Sequence, residues 1–471
     1  MQPNRESAKS FEEIPRVTGL PFVGTLFWYL PYIGVYNPFK LHIANERKLQ
    51  NYGPIVRETI MGRTYVLVYD PEDIARVFKS ESKYPYRETL LSLKEYRVRK
   101  HSTTCDPNAG LIVTQGQNWL NCRSVLNAPL LKSVFISPHV NTMDDLALGV
   151  VKLLEAHPEE DDVHETMYLW ALENATRILL GKQLGALESS PSRECQETVA
   201  AIRSASHAVG RLEFPYPPLW RWIATHNWNE FERNEDLFRD FIVDCVEERL
   251  SRPENTPSSC DLLSHIIREE QMKPAELITS LTDLVFAAVD TTAFAASFAM
   301  HFLALNPRVQ EKARQEAVEF EHLDLHQCKR LSYLQAVIKE TLRLRPVVPG
   351  VFRISSRDLT LSGFKVPAGT KIFTQNHVAC LSETNFPRAR EFLPERWAMP
   401  TSPSAEFASL PFGSGKRACI GRRLAETTLL VFLVRLLQTH VLDTDDKEID
   451  IVTSVVSSPE NPIRIKFRPL Q

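Results

Sequence analysis

The sequence predicts a single large domain that is mainly α-helical with a minor β-component. Hydrophobic residues recur with helical periodicity from about residue 140 to 345. Two shorter regions, residues 55–69 and 350–380, show the residue types and turns of short strands. No linker rich in Gly and Ser, no charged linker and no repeat divides the 471 residues. We therefore expect one domain over residues 14–471, preceded by a polar tail over residues 1–13.

Local patterns place strands and a helix start near the N-terminus. Residues 55–60 and 64–69 flank a turn that contains Gly, which predicts a β-hairpin. Asp70 and Pro71 follow at once, and a capping residue followed by proline predicts a helix start. Residues 360–366 form a second predicted turn between short strands.

The most apolar stretch runs from Leu284 to Leu305. At a rise of about 1.5 Å per residue it is long enough to span a bilayer. However, Asp290, Thr291 and His301 lie within it. We therefore predict a central helix that is buried in protein, not a membrane span.

Composition limits the classes of function and location. With a formal net charge of −3, 43% hydrophobic and 24% charged residues, the chain gives no sign of a nucleic-acid partner. The eight cysteines form no C-x-x-C pair, which favours reduced thiols in an intracellular compartment. Arg5 and Lys9 are offset by Glu6, Glu12 and Glu13, so no clear mitochondrial presequence is predicted.

A glycine-rich loop opens onto a long apolar helix near the C-terminus, and Cys419 lies in it. The N–H groups and partial positive charge of a helix N-terminus lower the pKa of a thiol and favour thiolate as a metal ligand. Gly413, Gly415 and Gly421 permit left-handed or close-approach backbone, and Arg417 lies where it could reach a cofactor carboxylate. The alternative is a buried structural cysteine in a turn.

The spacing Phe-x-x-Gly-x-Arg-x-Cys-x-Gly, from Phe412 to Gly421, resembles the haem-binding loop of the cytochrome P450 family. The resemblance extends from Ile14 to Ile465. It implies the single-domain cytochrome P450 fold and haem b (iron protoporphyrin IX) as cofactor. It further implies that Cys419 is the axial thiolate ligand of the haem iron.

The same resemblance implies further haem-binding residues. Trp119 and Arg123 match the Trp-x-x-x-Arg helix of the family, and Arg353 and Arg417 match two further positions that bind haem propionates. Phe412 opens the haem-binding loop. Arginine suits this role because it pairs bidentately with carboxylates. For any one of these arginines, a solvated surface position is the alternative.

Residues 287–292 resemble the oxygen-activating helix of the P450 family, whose pattern is Ala/Gly-Gly-x-Asp/Glu-Thr. The resemblance implies catalytic roles for Asp290, which supplies protons, and for Thr291, which binds dioxygen through its hydroxyl. The residues alone leave an alternative, in which the threonines bond to carbonyls one turn earlier and Asp290 pairs with a buried base. Ala288 stands where the family usually has Gly and adds a methyl group near the oxygen site.

Glu340 and Arg343 are three residues apart on a predicted helix, and Arg396 follows in a Pro-Glu-Arg sequence. Residues three apart on a helix face each other. The order of these elements before Cys419 resembles the P450 family, in which the three side chains form a buried structural triad. The alternative is a set of surface ion pairs, each worth less than about 1 kcal/mol.

The segment from Cys419 to Glu426 resembles the mitochondrial clan of animal P450s. That resemblance implies a mitochondrial enzyme, peripheral to the inner membrane, that receives electrons from a [2Fe–2S] ferredoxin and its NADPH-dependent reductase. A basic surface would steer an acidic ferredoxin. Family members often have a basic residue where Gln335 stands. The candidate residues for this redox-partner surface are Lys339, Lys416, Arg422 and Arg423.

Three short segments look like the arthropod ecdysteroid 22-hydroxylases of the Disembodied type, and they imply hydroxylation of a sterol side chain in moulting-hormone synthesis. Pro15-Arg16-Val17 departs from the Pro-Gly-Pro that this type prefers. The segments are residues 30–36, 54–60 and 374–380. The apolar pocket candidates, by family position, are Phe286, Ala287, residues 347–352, Val455 and Val456.

A tryptophan-rich segment, residues 214–222 together with Trp228, fits either a membrane face or a packed loop. The leading hypothesis for the whole chain is a monooxygenase. The alternatives are a hydroxylase at another steroid position, a haem-thiolate isomerase or dehydratase acting on oxidised lipids, and a haem sensor. Asp290 and Thr291 favour the monooxygenase, because the last two classes do not need proton delivery to dioxygen.

Overall fold

The computed structural model describes residues 8–30, 32–87, 90–213, 218–251, 260–399, 402–453 and 455–470. Over these residues the chain forms sixteen α-helices and eleven β-strands, so the predicted fold class is confirmed. The helices are α1 Leu41–Tyr52, α2 Pro71–Lys79, α3 Leu91–Arg99, α4 Gly116–Leu130, α5 Ser133–Ala156, α6 Val163–Leu180, α7 Arg193–Glu213, α8 His226–Leu250, α9 Leu262–Arg268, α10 Pro274–Leu305, α11 Pro307–Ala317, α12 Leu325–Cys328, α13 Ser332–Leu344, α14 Asn376–Ala379, α15 Pro403–Ala408 and α16 Arg422–Thr439. The strands are β1 Ile55–Ile60, β2 Arg63–Val68, β3 Glu159–Glu160, β4 Val351–Ile354, β5 Leu359–Leu361, β6 Phe364–Val366, β7 Lys371–Thr374, β8 His440–Asp443, β9 Ile451–Thr453, β10 Ser457–Pro459 and β11 Ile465–Pro469.

A mixed sheet in the order β1-β2-β7-β4 joins the two predicted strand regions. Strand β2 is antiparallel to β1 and parallel to β7, and β4 is antiparallel to β7. The β1–β2 hairpin turns at Met61 and Gly62, which both have positive φ, as a two-residue primed turn requires. The predicted short strands of residues 350–380 therefore divide between this sheet and a separate two-stranded sheet. Only β5 and β6 pair separately, because the partner of β7 lies far away in the sequence.

Residues 8–13 of the predicted tail pack against these strands. Lys9 makes backbone hydrogen bonds of 2.9 and 2.8 Å with the β5–β6 hairpin. The Glu12 carboxylate pairs with Arg57 of β1. Residues 8–13 therefore pack against the sheet region ahead of residue 14, the boundary that we predicted. Residues 1–7 of the predicted tail lie outside the described residues.

Helix α2 begins as predicted. The Asp70 carboxylate accepts the backbone N–H groups of Glu72 and Asp73 at 2.9 and 3.0 Å, and Pro71 occupies the first helical position. One face of the helix packs into a hydrophobic cluster beside the sheet. The chain that leaves α2 carries Glu81 to the base of the candidate active site described below.

Helix α10 lies at the centre of the helical part and packs against α6, α8, α13 and α16. In the parts of the chain described here, it is the one helix long and apolar enough to cross a membrane by length and composition. However, 67% of its apolar window is buried inside the protein. A helix that is hydrophobic on most sides suits such a position, because other helices surround it. The predicted buried central helix is confirmed.

The tryptophan-rich segment divides between core and surface. Trp220 and Trp228 are buried and stack with ring centroids 4.9 Å apart. Trp222 is 75% exposed. Of the two interpretations, the packed loop holds for Trp228, because neighbouring aromatic side chains cover its ring and keep it from a membrane surface. Residues 214–217 lie outside the described residues.

Candidate active site

The loop before α16 folds tightly around Cys419. Gly413 and Gly415 have φ values of 67° and 76°, a backbone region that favours glycine. A Cβ atom on Gly415 would lie 2.3 Å from a carboxylate oxygen of Glu81, so this position has no room for a side chain. The Cys419 N–H donates to the Phe412 carbonyl at 2.8 Å and closes the loop.

Cys419 is accessible although protein closely surrounds its sulfur. Burial raises the pKa of the thiol, while the Gly421 backbone N–H and the charges of Arg123 and Arg422 act to lower it. The side chain is nevertheless exposed. Both properties hold together for a sulfur that opens into a space enclosed by protein. Gly421 has φ −84°, so the left-handed conformation that we considered for it is not used.

Helix α10 borders an internal space from the other side. Ala287 is exposed, although Val285 and Val289 on the same helix are buried. Phe286 of α10 and Phe412 of the cysteine loop pack against the same hydrophobic cluster. We infer that the two openings lie within one interior, between α10 and the cysteine loop.

Trp119 and Arg123, both on α4, lie beside the cysteine loop as predicted. The Arg123 guanidinium donates to the Ala418 carbonyl at 2.8 Å. Arg417 is centred 4.2 Å above the Trp119 ring, a cation–π contact. Its guanidinium also donates to the carbonyls of Pro85 and Thr114 at 2.6 and 2.9 Å. The predicted cofactor-binding residues thus come together around the loop.

The arginines of this region are short of negative charge. Burial, followed by repulsion from neighbouring arginines, lowers the pKa of Arg417 to about 8 and that of Arg87 to about 10. Burial also lowers the pKa of Arg123. Three buried nitrogens have no hydrogen-bond partner in the described part of the protein: Arg87 Nε, Arg123 Nε and Arg417 Nη1.

Such unpaired buried donors are costly unless an acceptor is bound. A haem carries two propionate carboxylates, which would satisfy these donors and offset the charge. The residues therefore fit haem b. We call Arg87, Arg123, Arg353 and Arg417 the arginine cradle.

Arg353 differs from the other three, because its charge is already paired. Its Nε lies 2.6 Å from Glu81 Oε1, and both side chains are buried. Glu81 also accepts the Lys416 backbone N–H at 3.2 Å. Among the described residues, Glu81 is the carboxylate bonded to the cradle. Arg353 thus lies beside the cysteine loop, with its Nη2 3.4 Å from the Ser414 carbonyl, but it brings less unpaired charge than the resemblance implies.

Sequence analysis missed Arg87, Glu81 and Gln115. Arg87 donates to two loop carbonyls at 3.1 Å, and the Gln115 side chain accepts from Arg417 at 2.9 Å. One clue was present, since Arg87 directly follows the aromatic run Tyr84-Pro85-Tyr86, an unusual setting for a charged residue. Glu81 and Gln115 carry no comparable clue.

Glu340, Arg343 and Arg396 come together as predicted. Arg343 pairs bidentately with Glu340 at 2.8 and 2.9 Å, and Arg396 Nε reaches the same carboxylate at 2.9 Å. The Trp397 ring N–H and the Leu393 backbone N–H also donate to Glu340. Glu340 and Arg343 are fully buried. The remaining Arg343 nitrogens donate to backbone carbonyls.

Asp290 and Thr291 lie on α10 where the helix borders the internal space. The Thr291 hydroxyl donates to the Ala287 carbonyl at 2.8 Å, which is the local bond of the alternative interpretation. Burial raises the pKa of Asp290, while His207, Ser206 and Arg203 of α7 act to lower it. The Asp290 Oδ1 atom is buried and has no partner within the described ranges.

The four predicted redox-partner residues lie at the surface. Lys339 is exposed above the Trp397 ring, and Lys416 donates to the Ser82 carbonyl at 2.9 Å. Arg422 pairs with Glu426 at 3.0 Å, and Arg423 donates to the Leu131 carbonyl at 2.6 Å. Gln335 turns to donate to the Cys328 carbonyl at 2.9 Å, so it adds neither charge nor a free side chain to this surface.

Two predicted pocket residues pack against one hydrophobic cluster. They are Phe286 of α10 and Val455, and Ile112 packs against the same cluster. The Ser457 N–H donates to the Val347 carbonyl at 2.7 Å and joins two further pocket segments. Their side chains are apolar, as a pocket for a hydrophobic molecule requires.

Residues 15–467 match the family model described as cytochrome P450. The chain belongs to the cytochrome P450 family. This P450 is a haem-thiolate monooxygenase, an oxidoreductase, and haem b is the cofactor of its family. The resemblance drawn from the cysteine loop is therefore confirmed.

Its relatives include several proteins labelled mitochondrial. The P450 is 31% identical to cytochrome P450 302a1, mitochondrial, of Drosophila melanogaster over 98% of this chain and 96% of that protein. It is 29% identical to cytochrome P450 11B, mitochondrial, of Aquarana catesbeiana over 91% and 84%. It is 26% identical to the mitochondrial 1,25-dihydroxyvitamin D(3) 24-hydroxylase of Rattus norvegicus over 98% and 90%.

A solved structure supports the fold. The retinoic acid-bound cyanobacterial CYP120A1 superposes with a TM-score of 0.79 over 98% of this chain and 100% of that chain, at 22% identity. At this level of identity the likeness concerns the fold alone. The single-domain P450 fold that we predicted is confirmed.

Proposed function

We propose that this P450 hydroxylates a sterol or steroid, with the side chain of an ecdysteroid precursor as the first candidate, using dioxygen and electrons from a [2Fe–2S] ferredoxin. The observation that carries the proposal is the 31% identity to cytochrome P450 302a1 along 98% of this chain. The apolar character of Phe286, Val347 and Val455 supports a hydrophobic substrate. The ecdysteroid assignment rests on the three short segments described under Sequence analysis.

Cys419 and the arginine cradle would hold the cofactor. Cys419 would bind the iron as thiolate, and the unpaired N–H groups of Arg87, Arg123 and Arg417 would bind the propionates. When bound, haem b supplies the redox-active iron at which dioxygen is reduced. Phe412 shapes the loop that presents the sulfur.

Asp290 and Thr291 would serve proton delivery. Because burial raises the pKa of Asp290, its carboxyl holds a proton more readily near neutral pH than an exposed carboxyl does. Ser206 bonds to this carboxyl and His207 is exposed, which gives Asp290 a connection to solvent. The Thr291 hydroxyl donates its hydrogen to Ala287, so its lone pairs remain free to accept a second hydrogen bond.

Replacing Thr291 tests this proton path. Thr291→Ala should separate electron use from product formation, because the hydroxyl is lost. Thr291→Ser keeps the hydroxyl and should restore most of the coupling. The measurement is the ratio of NADPH consumed to product formed. An unchanged ratio in the alanine variant removes Thr291 from the proposed path.

The proposed redox partner docks at Lys339, Lys416, Arg422 and Arg423. Arg422 and Arg423 begin the helix that follows Cys419, which brings an electron donor close to the thiolate side. However, Arg422 pairs with Glu426, so its charge is partly offset. Because the remaining contact is between exposed charges of opposite sign, docking should weaken as salt is added.

We further propose a mitochondrial location with peripheral membrane contact. Several relatives carry the label mitochondrial. Three large apolar side chains between α7 and α8 are exposed: Leu219, Trp222 and Ile223. Tryptophan favours the interface between lipid and water. Co-sedimentation with phosphatidylcholine vesicles checks this contact, which Trp222→Ser should weaken.

The decisive test uses the holoenzyme. A thiolate-type spectrum of the reduced, carbon monoxide-bound protein comes first. Titration with ecdysteroid precursors and other sterols should then shift the haem from low spin to high spin. Turnover should require a mitochondrial-type ferredoxin and its reductase. Product formed from an oxidised lipid without dioxygen or ferredoxin would instead support the isomerase or dehydratase alternative.

A further inference from the structure

A buried carboxylate on α10 lies outside the roles described so far. Asp283 is 1% exposed and lies about two turns before Asp290 on the same helix. A buried ionised carboxylate is costly unless it is fully paired. Among the described residues, the hydrogen bonds of the Asp283 carboxylate go to one irregular segment and to the helix that precedes it. That segment, residues 100–115 between α3 and α4, is called the α3–α4 loop below.

Asp283 binds the backbone of the α3–α4 loop directly. Its Oδ2 accepts the N–H groups of Leu111 and Ile112 at 2.6 and 2.9 Å. Its Oδ1 pairs with the buried guanidinium of Arg97. Gly110 comes so close that an added Cβ would lie 2.3 Å from Asp283 Oδ2. The loop backbone therefore lies against α10 with no room for a side chain at this point.

The same two loop residues are held from the opposite side. Arg87 of the arginine cradle donates to the carbonyls of Leu111 and Ile112, both at 3.1 Å. Each of the two residues is thus bonded through its N–H to Asp283 of α10 and through its C=O to Arg87 of the cradle. Charged partners make such hydrogen bonds about twice as strong as neutral ones. A loop without regular secondary structure is fixed here by two buried charges.

The fixed segment carries a side chain that packs beside predicted pocket residues. Ile112 is half-buried and packs against the same hydrophobic cluster as Phe286 of α10 and Val455. A wall residue on a rigid backbone discriminates between ligands by shape. A wall residue on a mobile loop must be ordered by each ligand, which reduces affinity.

We propose that Asp283 is a specificity-determining positioning residue, which clamps the α3–α4 loop to α10 and so makes Ile112 a fixed wall of the substrate pocket. The proposal rests on the proposed function only in taking the space beside Phe286 and Val455 as the ligand pocket. It does not depend on which substrate is oxidised.

The test compares Asp283→Asn with a matched control, Glu173→Gln, in the holoenzyme. Glu173 on α6 is also 1% exposed, accepts the N–H groups of Leu184 and Ala186 at 3.1 and 3.0 Å, and pairs with Arg177. It thus clamps a different loop by the same chemistry. Both exchanges keep the side-chain size and remove the charge.

Two readouts are independent of turnover. Hydrogen exchange by mass spectrometry follows the peptide covering residues 105–115. Spectral titration with two haem ligands, imidazole and the larger 4-phenylimidazole, reports the space beside the wall. Asp283→Asn should speed exchange in this peptide about tenfold. It should also weaken 4-phenylimidazole about fivefold while imidazole stays within about twofold.

Glu173→Gln should speed exchange over residues 181–187 and leave the ratio of the two affinities unchanged. If Asp283→Asn does not fold, Gly110→Ala displaces the clamp without removing a charge and should give the same two effects. Unchanged exchange refutes the clamp, and faster exchange with an unchanged affinity ratio refutes the wall. An equal change of ratio in Glu173→Gln assigns the effect to general loosening and overturns the proposal. Failure to oxidise any sterol would refute the proposed substrate but leave these outcomes intact.

Discussion

The triad around Glu340 and the arginine cradle both bury guanidinium groups, but they differ in how those groups are satisfied. In the triad, Glu340 receives hydrogen bonds from two arginines, a Trp ring N–H and a backbone N–H. In the cradle, three buried arginine nitrogens have no partner within the described residues. A complete set of internal partners marks a structural cluster. An incomplete set with excess positive charge marks a site for an anionic ligand.

The pKa shifts agree with this difference. Burial and neighbouring arginines lower the pKa of Arg417 to about 8. The charged form of Arg417 is therefore less favourable here than in water, and a bound anion would stabilise it. Arg353 stands between the two cases, because Glu81 already neutralises it. The comparison therefore ranks the cradle residues by their expected contribution to haem affinity, with Arg417 and Arg87 above Arg353.

Removing the thiolate should have the largest effect. Cys419→Ser replaces sulfur with a hydroxyl that is a far weaker ligand, so the thiolate-type absorption of the reduced, carbon monoxide-bound protein should disappear. The arginine cradle stays intact, and the protein should still bind some haem. Retention of the thiolate-type band in the serine variant would reject Cys419 as the ligand.

Breaking the triad around Glu340 should lower the free energy of unfolding more than any other change proposed here. Arg343→Met leaves the Glu340 carboxylate buried without its bidentate partner, which should lower the free energy of unfolding by about 3–5 kcal/mol. The matched control is Arg388→Met, which removes an exposed pair with Glu391 and should have no measurable effect. Denaturant unfolding measures both. Equal losses in the two variants would contradict a special role for the buried cluster.

Removing an arginine of the cradle should weaken haem binding more than it lowers the stability of the fold. Arg417→Met removes a buried guanidinium that bonds to carbonyls and an amide but to no carboxylate among the described residues, so the unfolding free energy of haem-free protein should fall by less than in Arg343→Met. Haem should transfer to apomyoglobin about tenfold faster, because a charge-assisted hydrogen bond to a propionate is lost. If Arg417→Met instead destabilises the haem-free protein as strongly as Arg343→Met, the distinction between the clusters fails.

A third group consists of histidines whose neutral form is favoured by burial. Burial lowers the pKa of His42, His164, His301 and His377 to about 4. The unfolded chain therefore binds more protons than the folded protein between about pH 6.5 and 4. Stability should be complete above that range and should fall as pH decreases through it.

Replacing one of these histidines isolates its share of the acid sensitivity. His301→Phe removes a buried group, so the slope of unfolding free energy against pH between pH 6 and 4.5 should decrease by up to one proton. Glu235 acts in the opposite direction, because burial raises its pKa to about 7. Glu235→Gln should therefore make the acid dependence steeper. An unchanged slope in both variants would show that other groups control acid unfolding.

Local chemistry made much of this protein predictable. The cysteine loop, the Glu340–Arg343 spacing and the Asp70 cap each depend on residues close in sequence. Even the Arg396 contact could be predicted by resemblance. In contrast, Glu81, Arg87 and Asp283 act through loops whose positions depend on the whole fold.

The strand pairing shows the same limit. The hairpin of β1 and β2 follows from its own alternation and turn, whereas the parallel pairing of β2 with β7 leaves no local pattern. The strands β8 to β11, of three to five residues each, were not predicted from the sequence. The Trp220–Trp228 stack was also hidden, because composition does not say which aromatic rings cover each other.

The mixed sheet can form only late in protein synthesis, because its paired strands β2 and β7 lie far apart in the sequence. Tyr65 of β2 pairs with Lys371 of β7, so the hairpin must wait while about 300 residues are synthesised, roughly 15–60 s at ordinary elongation rates. During this time β2 presents an open edge that can join other nascent chains. Arg353 reaches its position through β4, the strand beside β7. Cofactor capture can therefore be completed only late in biogenesis, and a chaperone that shields this edge should raise the yield of haem-loaded protein.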